Sequence, residues 1–499
     1  MSESIPLLTA QALRAAEEQA QALLPPGGLM QRAGLAASHV VRQMLPSRAS
    51  RVHVLAGPGN NGGDGFETAT VLLQAGYHVN VSFFGTTETL PDDAKVAQQR
   101  WQAAGGQTLG TFDFDPARAP DLIVDALFGI GLSRAISGQA AEWLRQANAL
   151  DCKKLALDIP SGLSADTGQI IGGADAPVFR ARRTATFIAG KPGLYTADGV
   201  DCAGQVSIHD LGVLLHDTLG QLNHPALFAA HLPQRQRNTH KGLFGNLAIV
   251  GGQTGMTGAI TLAAQAGLLA GAGRVFVLPL DHLYTRNTAL PELMFRAPEA
   301  LQETHPDAVI SGPGMGNGQM ALNTLLHHLS IAAPLLLDAD ALNLLASESA
   351  CQGRVLRRSA TTLLTPHPLE AARLLHTDVA QVQADRISAA LALARDYRAL
   401  VVLKGAGSVL ADPQGHWCIN PTGNALLSIP GAGDVLSGVI GSLIAQGMPP
   451  WNALLAAVWL HGAAAEQMSV DLPRHTGATA STLASAIRDQ LNCLQRPAL

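Results

Sequence analysis

Aromatic side chains make up only 4% of this chain and charged ones only 14%. A core with so few rings is filled by Ala, Leu and Val. With 51 glycines, that suits helices lying close on a parallel sheet better than an aromatic-rich β-sandwich. Cysteine is thin as well: Cys152, Cys202, Cys351, Cys418 and Cys493 lie far apart, no close pair begins a zinc site, and a reduced, cytoplasmic setting is expected. Long apolar runs are missing. Residues 435–444 contain Ser and Gly and are too short to span a bilayer. Residues 1–21 carry Glu3, Glu17 and Glu18 where a secretory leader has a basic start and an apolar stretch, so neither a leader nor a membrane partner is expected. The net charge of -5 argues against nucleic acid as the main partner.

What is present is 499 residues, 47% of them hydrophobic, with a mean hydropathy of +0.17. That supports two or three domains and excludes wholesale disorder. Short strand-like runs at 52–56, 78–83, 122–125, 155–158 and 184–188 alternate with helical text, the mark of parallel α/β units. The alternation lapses over 223–246, a polar, His-rich and basic stretch, and restarts at 247–250, 275–278, 309–311, 335–338, 401–404 and 408–410. Helical text dominates from Gly431 onward. The two halves share no repeat. Two different α/β domains are therefore expected, 1–222 and 223–499, the first doubly wound and Rossmann-like.

The run at 52–56 leads into GPGNNGGDG, Gly57 to Gly65, and then into a helix. A glycine-dense turn between strand and helix lets backbone N–H groups approach a phosphate, and the helix N-terminus adds a favourable field. Ligands of open parallel sheets bind outside the carboxyl ends of the strands, and two more such ends are polar: DALFGIGLSR from Asp125 and DIPSG from Asp158, with Ser161. Each Asp taken singly also suits a cap or a turn.

In the second half GAGDVLSG, Gly431 to Gly438, opens a long apolar helix. Glycine N–H groups at a helix N-terminus form an anion hole, and Asp434 beside it can take the proton of a hydroxyl being phosphorylated. KGAGSVL from Lys404 offers a Gly-rich turn with a phosphate-binding lysine; TPHPLE places His367 between two prolines; SGPGMG ends at Gly316. The neighbours His327 and His328 have no metal-ligand partner in the sequence and read as solvated or structural.

Together, MQRAG (Met30 to Gly34), GPGNNGGDG, DALFGIGLSR and DIPSG resemble the epimerase domain of the NAD(P)H-hydrate repair enzymes over most of residues 8–220, with Gln31 where that family has Glu. The resemblance implies that Asn60, Asn61, Gly62, Gly63 and Asp64, the loop Gly129, Ile130, Gly131, Leu132, Ser133, Arg134 and Ala135, and Asp158 hold the hydrated dinucleotide. It also implies that Asn61, Asp125 and Ser161 bind K+, an oxygen donor set suited to a hard cation. Asp125 or Asp158 would handle the proton of a departing and returning hydroxyl.

In this order, the stretch 251–275, SGPGMG, LDADALN, TPHPLE, VLKGAGS and GAGDVLSG are similar to the ADP-dependent NAD(P)H-hydrate dehydratases, of ribokinase-like fold, over about 235–495. This implies that Ala259, Gly316, His367 and Asp434 contact the hydrated dinucleotide. It further implies that Lys404, Gly405, Ala406, Gly407, Ser408 and Gly433 hold the adenine nucleotide, ADP with Mg2+, and that Asp434 is the base. One stretch departs from the family: GNALLSIPGAGD carries Leu426, Ile429 and Pro430, and Pro430 lacks an N–H donor.

The implied task is metabolite repair: interconversion of the R and S hydrates of NADH and NADPH and ADP-driven dehydration of the S form, by a homo-oligomer. A small-molecule kinase with a dinucleotide-sensing first domain is the alternative, and a binding protein with a decayed second site is a third reading.

Overall fold

The computed structural model describes residues 5–113, 119–215, 218–472 and 474–494, so Glu3 of the leader argument lies outside the described residues. The chain forms two compact units, Ile5–Thr218 and Leu219–Leu499.

In the first, β1 (Pro6–Leu7), whose Leu7 bridges Gly190, and helices α1 (Ala10–Gln21) and α2 (Gly28–Met44) precede an all-parallel sheet. Its strands are β2 (Arg51–Ala56), β3 (His78–Phe83), β4 (Thr108–Leu109), β5 (Leu122–Ala126), β6 (Lys153–Leu157), β7 (Arg183–Phe187) and β8 (Gln205–His209). α3 (Asn60–Gln74), α4 (Asp92–Ala103), α5 (Gly138–Ala149) and the single turn α6 (Gly199–Cys202) connect them. The order β4-β3-β2-β5-β6-β7-β8 means that the chain winds outward from β2, then returns to place β5 on the other side of β2. A crevice at the strand ends is expected where the winding reverses.

Both faces of this sheet are covered, and the alternation along each strand shows it. Val52, Val54 and Ala56 of β2, with Leu122, Val124 and Ala126 of β5, pack under α2, α3 and α4, while Leu55 and Ile123 face α5 with Trp143 and Leu144. Burial on both sides is why these strands read as continuous apolar runs.

The second unit runs β9 (Gly220–Leu222), β10 (Asn246–Gly251), α7 (Thr257–Leu269), β11 (Arg274–Pro279), β12 (Met294–Phe295), β13 (Ala308–Ser311), α8 (Gln319–His328), β14 (Leu335–Leu337), α9 (Asp340–Ser347) and α10 (Ser349–Val355). It continues with β15 (Thr362–Leu364), α11 (Pro368–Leu374), α12 (Val379–Ala384), α13 (Arg386–Tyr397), β16 (Leu400–Leu403), β17 (Val409–Ala411), β18 (Trp417–Ile419), α14 (Ala432–Ala445), α15 (Pro450–Asp471) and α16 (Ala480–Leu494). Its strands follow the order β9-β18-β17-β16-β15-β14-β13-β10-β11-β12, parallel except for the antiparallel β16-β17-β18 meander. Helices α7, α14, α15 and α16 share one core, built from Ala and Gly contacts close enough that a Cβ at Gly438 would sit 2.1 Å from the carbonyl oxygen of Ala263. Such helix contacts need small side chains, which accounts for the few aromatics and many glycines.

The units divide ahead of the polar stretch 223–246, where the lapse in alternation suggested a junction. That stretch belongs to the second unit: it follows β9, which pairs with β18, Asn223 Nδ2 donates to Asn420 Oδ1 and to the Leu455 carbonyl oxygen, both at 2.9 Å, and Phe228, Leu232 and Phe244 are buried. Its apolar residues are few but well spaced among short 3-10 turns, a pattern with no strand or helix period. Among the described residues no helix is long and apolar enough to cross a membrane.

Candidate functional sites

At the winding reversal of the first unit lies a cavity of about 800 Å³. Of the residues singled out from the sequence, Asn60, Asn61, Asp64, the loop 129–134 and Asp158 line it. Gly62, Gly63 and Ala135 are not among the lining residues. The first two are packing glycines: a Cβ at Gly62 would meet the Gly57 carbonyl oxygen at 1.9 Å, and one at Gly63 would meet Met30 Sδ at 2.5 Å. Gly57 itself passes so close to β5 that a Cβ would lie 1.7 Å from the Leu127 carbonyl oxygen, so only glycine lets the β2 end turn there.

Asp125 is wholly buried at the end of β5. Its carboxylate accepts from Ser161 N at 2.8 Å, Ser161 Oγ at 2.7 Å and Leu127 N at 3.2 Å, while Ser161 Oγ also accepts from Phe128 N at 2.9 Å. Burial raises Asp125 to about 6 against the pull of these donors. Asn61 is 7% exposed, and neither its amide oxygen nor its nitrogen has a partner. An orphaned buried amide is costly unless something fills the gap, and amide, carboxylate and hydroxyl oxygens are the donor types that suit a hard cation.

Asp158 follows β6 with φ 65°, and Ile188 follows β7 with φ 67°, both left-handed and both facing the cavity. A β-branched residue there is strained, as backbone at binding sites often is. Asp158 pairs with the buried Lys191 ammonium, which also donates to the Phe187 carbonyl oxygen at 2.7 Å. Burial, then Asp158 and Glu17, push Asp64 well above its ordinary value; burial and Asp158 raise Glu17. Sequence reading missed the whole α1 wall, Arg14, Glu17 and Gln21. The signal was their spacing by three and four residues, one face of a helix.

In the second unit Gly433, Asp434 and His367 of the singled-out residues gather around Lys404. Its ammonium lies 2.9 Å from Asp338 Oδ1, and Ser437 Oγ donates to Asp338 Oδ2 at 2.7 Å. A Cβ at Gly433 would come within 3.3 Å of Lys404 Nζ, so that glycine leaves the first turn of α14 open to the ammonium. Burial, reinforced by Asp338 and opposed by Lys404, pushes Asp434 up to about 7. Burial works against the charge of Lys404, but Asp338 and Glu370 outweigh it and its value is raised.

His367 caps α11: its Nδ1 accepts from Leu369 N and Glu370 N at 3.1 and 3.3 Å, and Glu370 Oε2 accepts from His367 N at 2.8 Å. Gly316 N donates to Asp340 Oδ2 at 2.8 Å, and Gly314 packs by Ala259. Asp340 in turn bears electrostatically on Asp434 and Glu370, which links the SGPGMG turn to Asp434. His328 is buried with Nδ1 3.1 Å from Ser311 Oγ, a structural histidine as expected.

Sequence reading also missed Asp338 and Arg386. The buried Arg386 guanidinium donates to the carbonyl oxygens of Leu403 and Lys404 at 3.2 and 3.3 Å and props the 404–408 turn from beneath. Ala339, next to Asp338, has φ 51° and ψ -117°, a third strained strand end. The divergent stretch is well housed: Leu426 is buried, Ile429 packs on the helical core, and Pro430 stands before the Gly431 N-cap of α14. The N–H that Pro430 lacks is therefore not one of the open first-turn donors, which come from Gly433 and Asp434, Ala432 N donating to the Ile429 carbonyl oxygen at 3.4 Å.

The family described as NAD(P)H-hydrate dehydratase matches residues 247–489, and that described as YjeF-related protein N-terminus matches residues 27–193. The chain is 39% identical over 451 residues to the bifunctional NAD(P)H-hydrate repair enzyme Nnr of Escherichia coli (strain K12), covering 88% of this chain and 85% of that protein. It is 36% identical over 477 residues to Nnr of Moorella thermoacetica, with 89% and 88% covered. The crystal structure of the ADP/ATP-dependent NAD(P)H-hydrate dehydratase from Bacillus subtilis, co-crystallised with ATP/Mg2+, aligns with 53% of this chain and 95% of that one at 29% identity and a TM-score of 0.48.

Proposed function

The chain belongs to the bifunctional NAD(P)H-hydrate repair enzymes, and from that premise we propose how its two units divide the work. The protein is an enzyme of metabolite repair, an isomerase and a lyase in one chain. The first unit interconverts the R and S hydrates of NADH or NADPH in the cavity at the winding reversal. The second dehydrates the S form with ADP, releasing AMP and phosphate.

The observation that carries the second assignment is Asp434. It is a carboxyl poised near neutrality in the first turn of a helix, beside the open Gly433 and the Lys404 ammonium. In its ionised form it takes the proton of the ring hydroxyl as that oxygen attacks the terminal phosphoryl group of ADP. The first-turn N–H groups of α14 and Lys404 receive the phosphoryl charge. The ring nitrogen lone pair then expels phosphate, and loss of the neighbouring ring proton restores the dihydronicotinamide. Mg2+ travelling with the nucleotide would neutralise part of its charge. In the first unit K+ would be held by Asn61, Asp125 and Ser161, a reading supported by the orphaned Asn61 amide. A cytoplasmic setting accords with five free cysteines, and assembly into a homo-oligomer belongs to the same reading.

Incubation with chemically hydrated NADH plus ADP or ATP tests the proposal. Recovery of the reduced-nicotinamide absorbance, faster with ADP and with stoichiometric AMP and phosphate, is expected. ADP formed from ATP together with a stable phosphorylated product would establish a small-molecule kinase instead.

A further inference from the structure

We propose that Glu17, on α1, carries the proton in the epimerisation, an assignment that rests on reading the first unit as an epimerase of hydrated dinucleotides. The two carboxylates at the strand ends are both committed. Asp125 is buried, and its oxygens accept from Ser161 N, Ser161 Oγ and Leu127 N. Asp158 is tied to Lys191, and protonating it would strand that ammonium as an unpaired buried cation.

Glu17 reaches the same cavity from a different element. Arg14, Glu17 and Gln21 share one face of α1, and that face is a wall of the cavity. The helix is anchored at its start, where Ala10 N donates to Asp166 Oδ1 at 2.6 Å and Thr9 Oγ1 accepts from Ala12 N, so the wall is positioned by the same unit. Among the described residues the Glu17 carboxyl takes part in no hydrogen bond or ion pair, which leaves it free to meet a ligand. Burial and the charge of Asp158 favour its neutral form, against Lys191 and Arg14.

As a neutral acid, Glu17 gives its proton to the ring hydroxyl while the C–O bond breaks. The bond pair leaves with oxygen as water, and the ring nitrogen lone pair closes a C=N bond. Water then adds to either face, the C=N π electrons return to nitrogen, and the surplus proton returns to the Glu17 carboxylate. Nothing is consumed, as an epimerisation requires.

The test follows interconversion of the purified R hydrate of NADH by the full-length chain without nucleotide, with the two epimers separated by chromatography. Glu17→Gln is expected to lower kcat by about a hundred- to ten-thousand-fold with KM little changed. Glu17→Asp should keep an intermediate rate, and Glu18→Gln, an exposed neighbour outside the cavity, should match the parent. Turnover of the S hydrate with ADP by Glu17→Gln at the parent rate shows that the variant folds. A parent-like kcat in Glu17→Gln, or a raised KM with unchanged kcat, overturns the assignment, as does loss of kcat in Asp64→Asn alone. A parent chain that turns over the S hydrate but does not interconvert the epimers overturns the epimerase reading itself.

Discussion

Asp434 combines two opposing demands. Burial and Asp338 disfavour the anion and push its carboxyl up to about 7, yet the proposed mechanism needs the anion as base. Dehydration should therefore rise with pH through neutrality, a limb that a pH profile of kcat will show, and Asp434→Asn should lower the rate about a hundred- to ten-thousand-fold while leaving epimerisation intact. The stability effect has the opposite sign. A carboxyl raised in the folded state from an ordinary value near 3.8 weakens the fold progressively as pH rises from there to about 7. Asp434→Asn should thus raise Tm above neutral pH, with the gain shrinking as pH falls below about 7 and vanishing only near the ordinary value of 3.8; a parent-like Tm at pH 8 would contradict it.

Asp125 makes the complementary case in the first unit, where its carboxylate draws together Ser161 and the β5 end. Epimerisation should fall when K+ is replaced by a bulky organic cation, and Asp125→Ala should lose both activity and the cation response. Full activity in that variant would make the carboxylate a turn residue only.

At the scale of elements, the Gly-rich turn after β16, proposed to hold the nucleotide, depends on α13. Arg386 satisfies the carbonyl oxygens of Leu403 and Lys404, and Gly405, at φ 143°, lies against it: a Cβ there would come within 2.8 Å of the guanidinium. Arg386→Met removes the donors and leaves buried carbonyl oxygens unsatisfied, at about 1–3 kcal/mol. Gly405→Ala adds a clash in a conformation that L side chains rarely adopt. Both variants should lower Tm and raise KM for ADP while epimerisation is unaffected; thermal melts and separate assays of the two activities decide it.

At the scale of the molecule, the unit boundary predicts where the chain tolerates cutting. Separation between Thr218 and Leu219 should yield two folded pieces, each keeping its own reaction. A second piece starting at Arg235 lacks β9, Asn223 and the buried Phe228, and should be less stable than one starting at Leu219. Equal Tm values for the two versions would show that the polar stretch contributes no packing.

The sequence by itself determined the α/β class, the two-domain plan, the polar strand ends around which the two candidate sites form, and the family, because these are local. Buried parallel strands must be apolar runs, and a phosphate turn must be rich in glycine. Asp125, Asp158, Lys404 and Asp434 were legible because each ends a strand or opens a helix. Glu17, Lys191 and Arg386 carry no such local mark, and Asp338, which does end a strand, was passed over within LDADALN. Glu17 is one acidic residue on a polar helix, and Arg386 sits 18 residues before the Lys404 whose carbonyl oxygen it binds. Only the winding of the two sheets decided that α1 walls the cavity and that Asp338, at one strand end, meets Lys404 at another. Such contacts join residues far apart in the chain, and a single sequence records no distance between them.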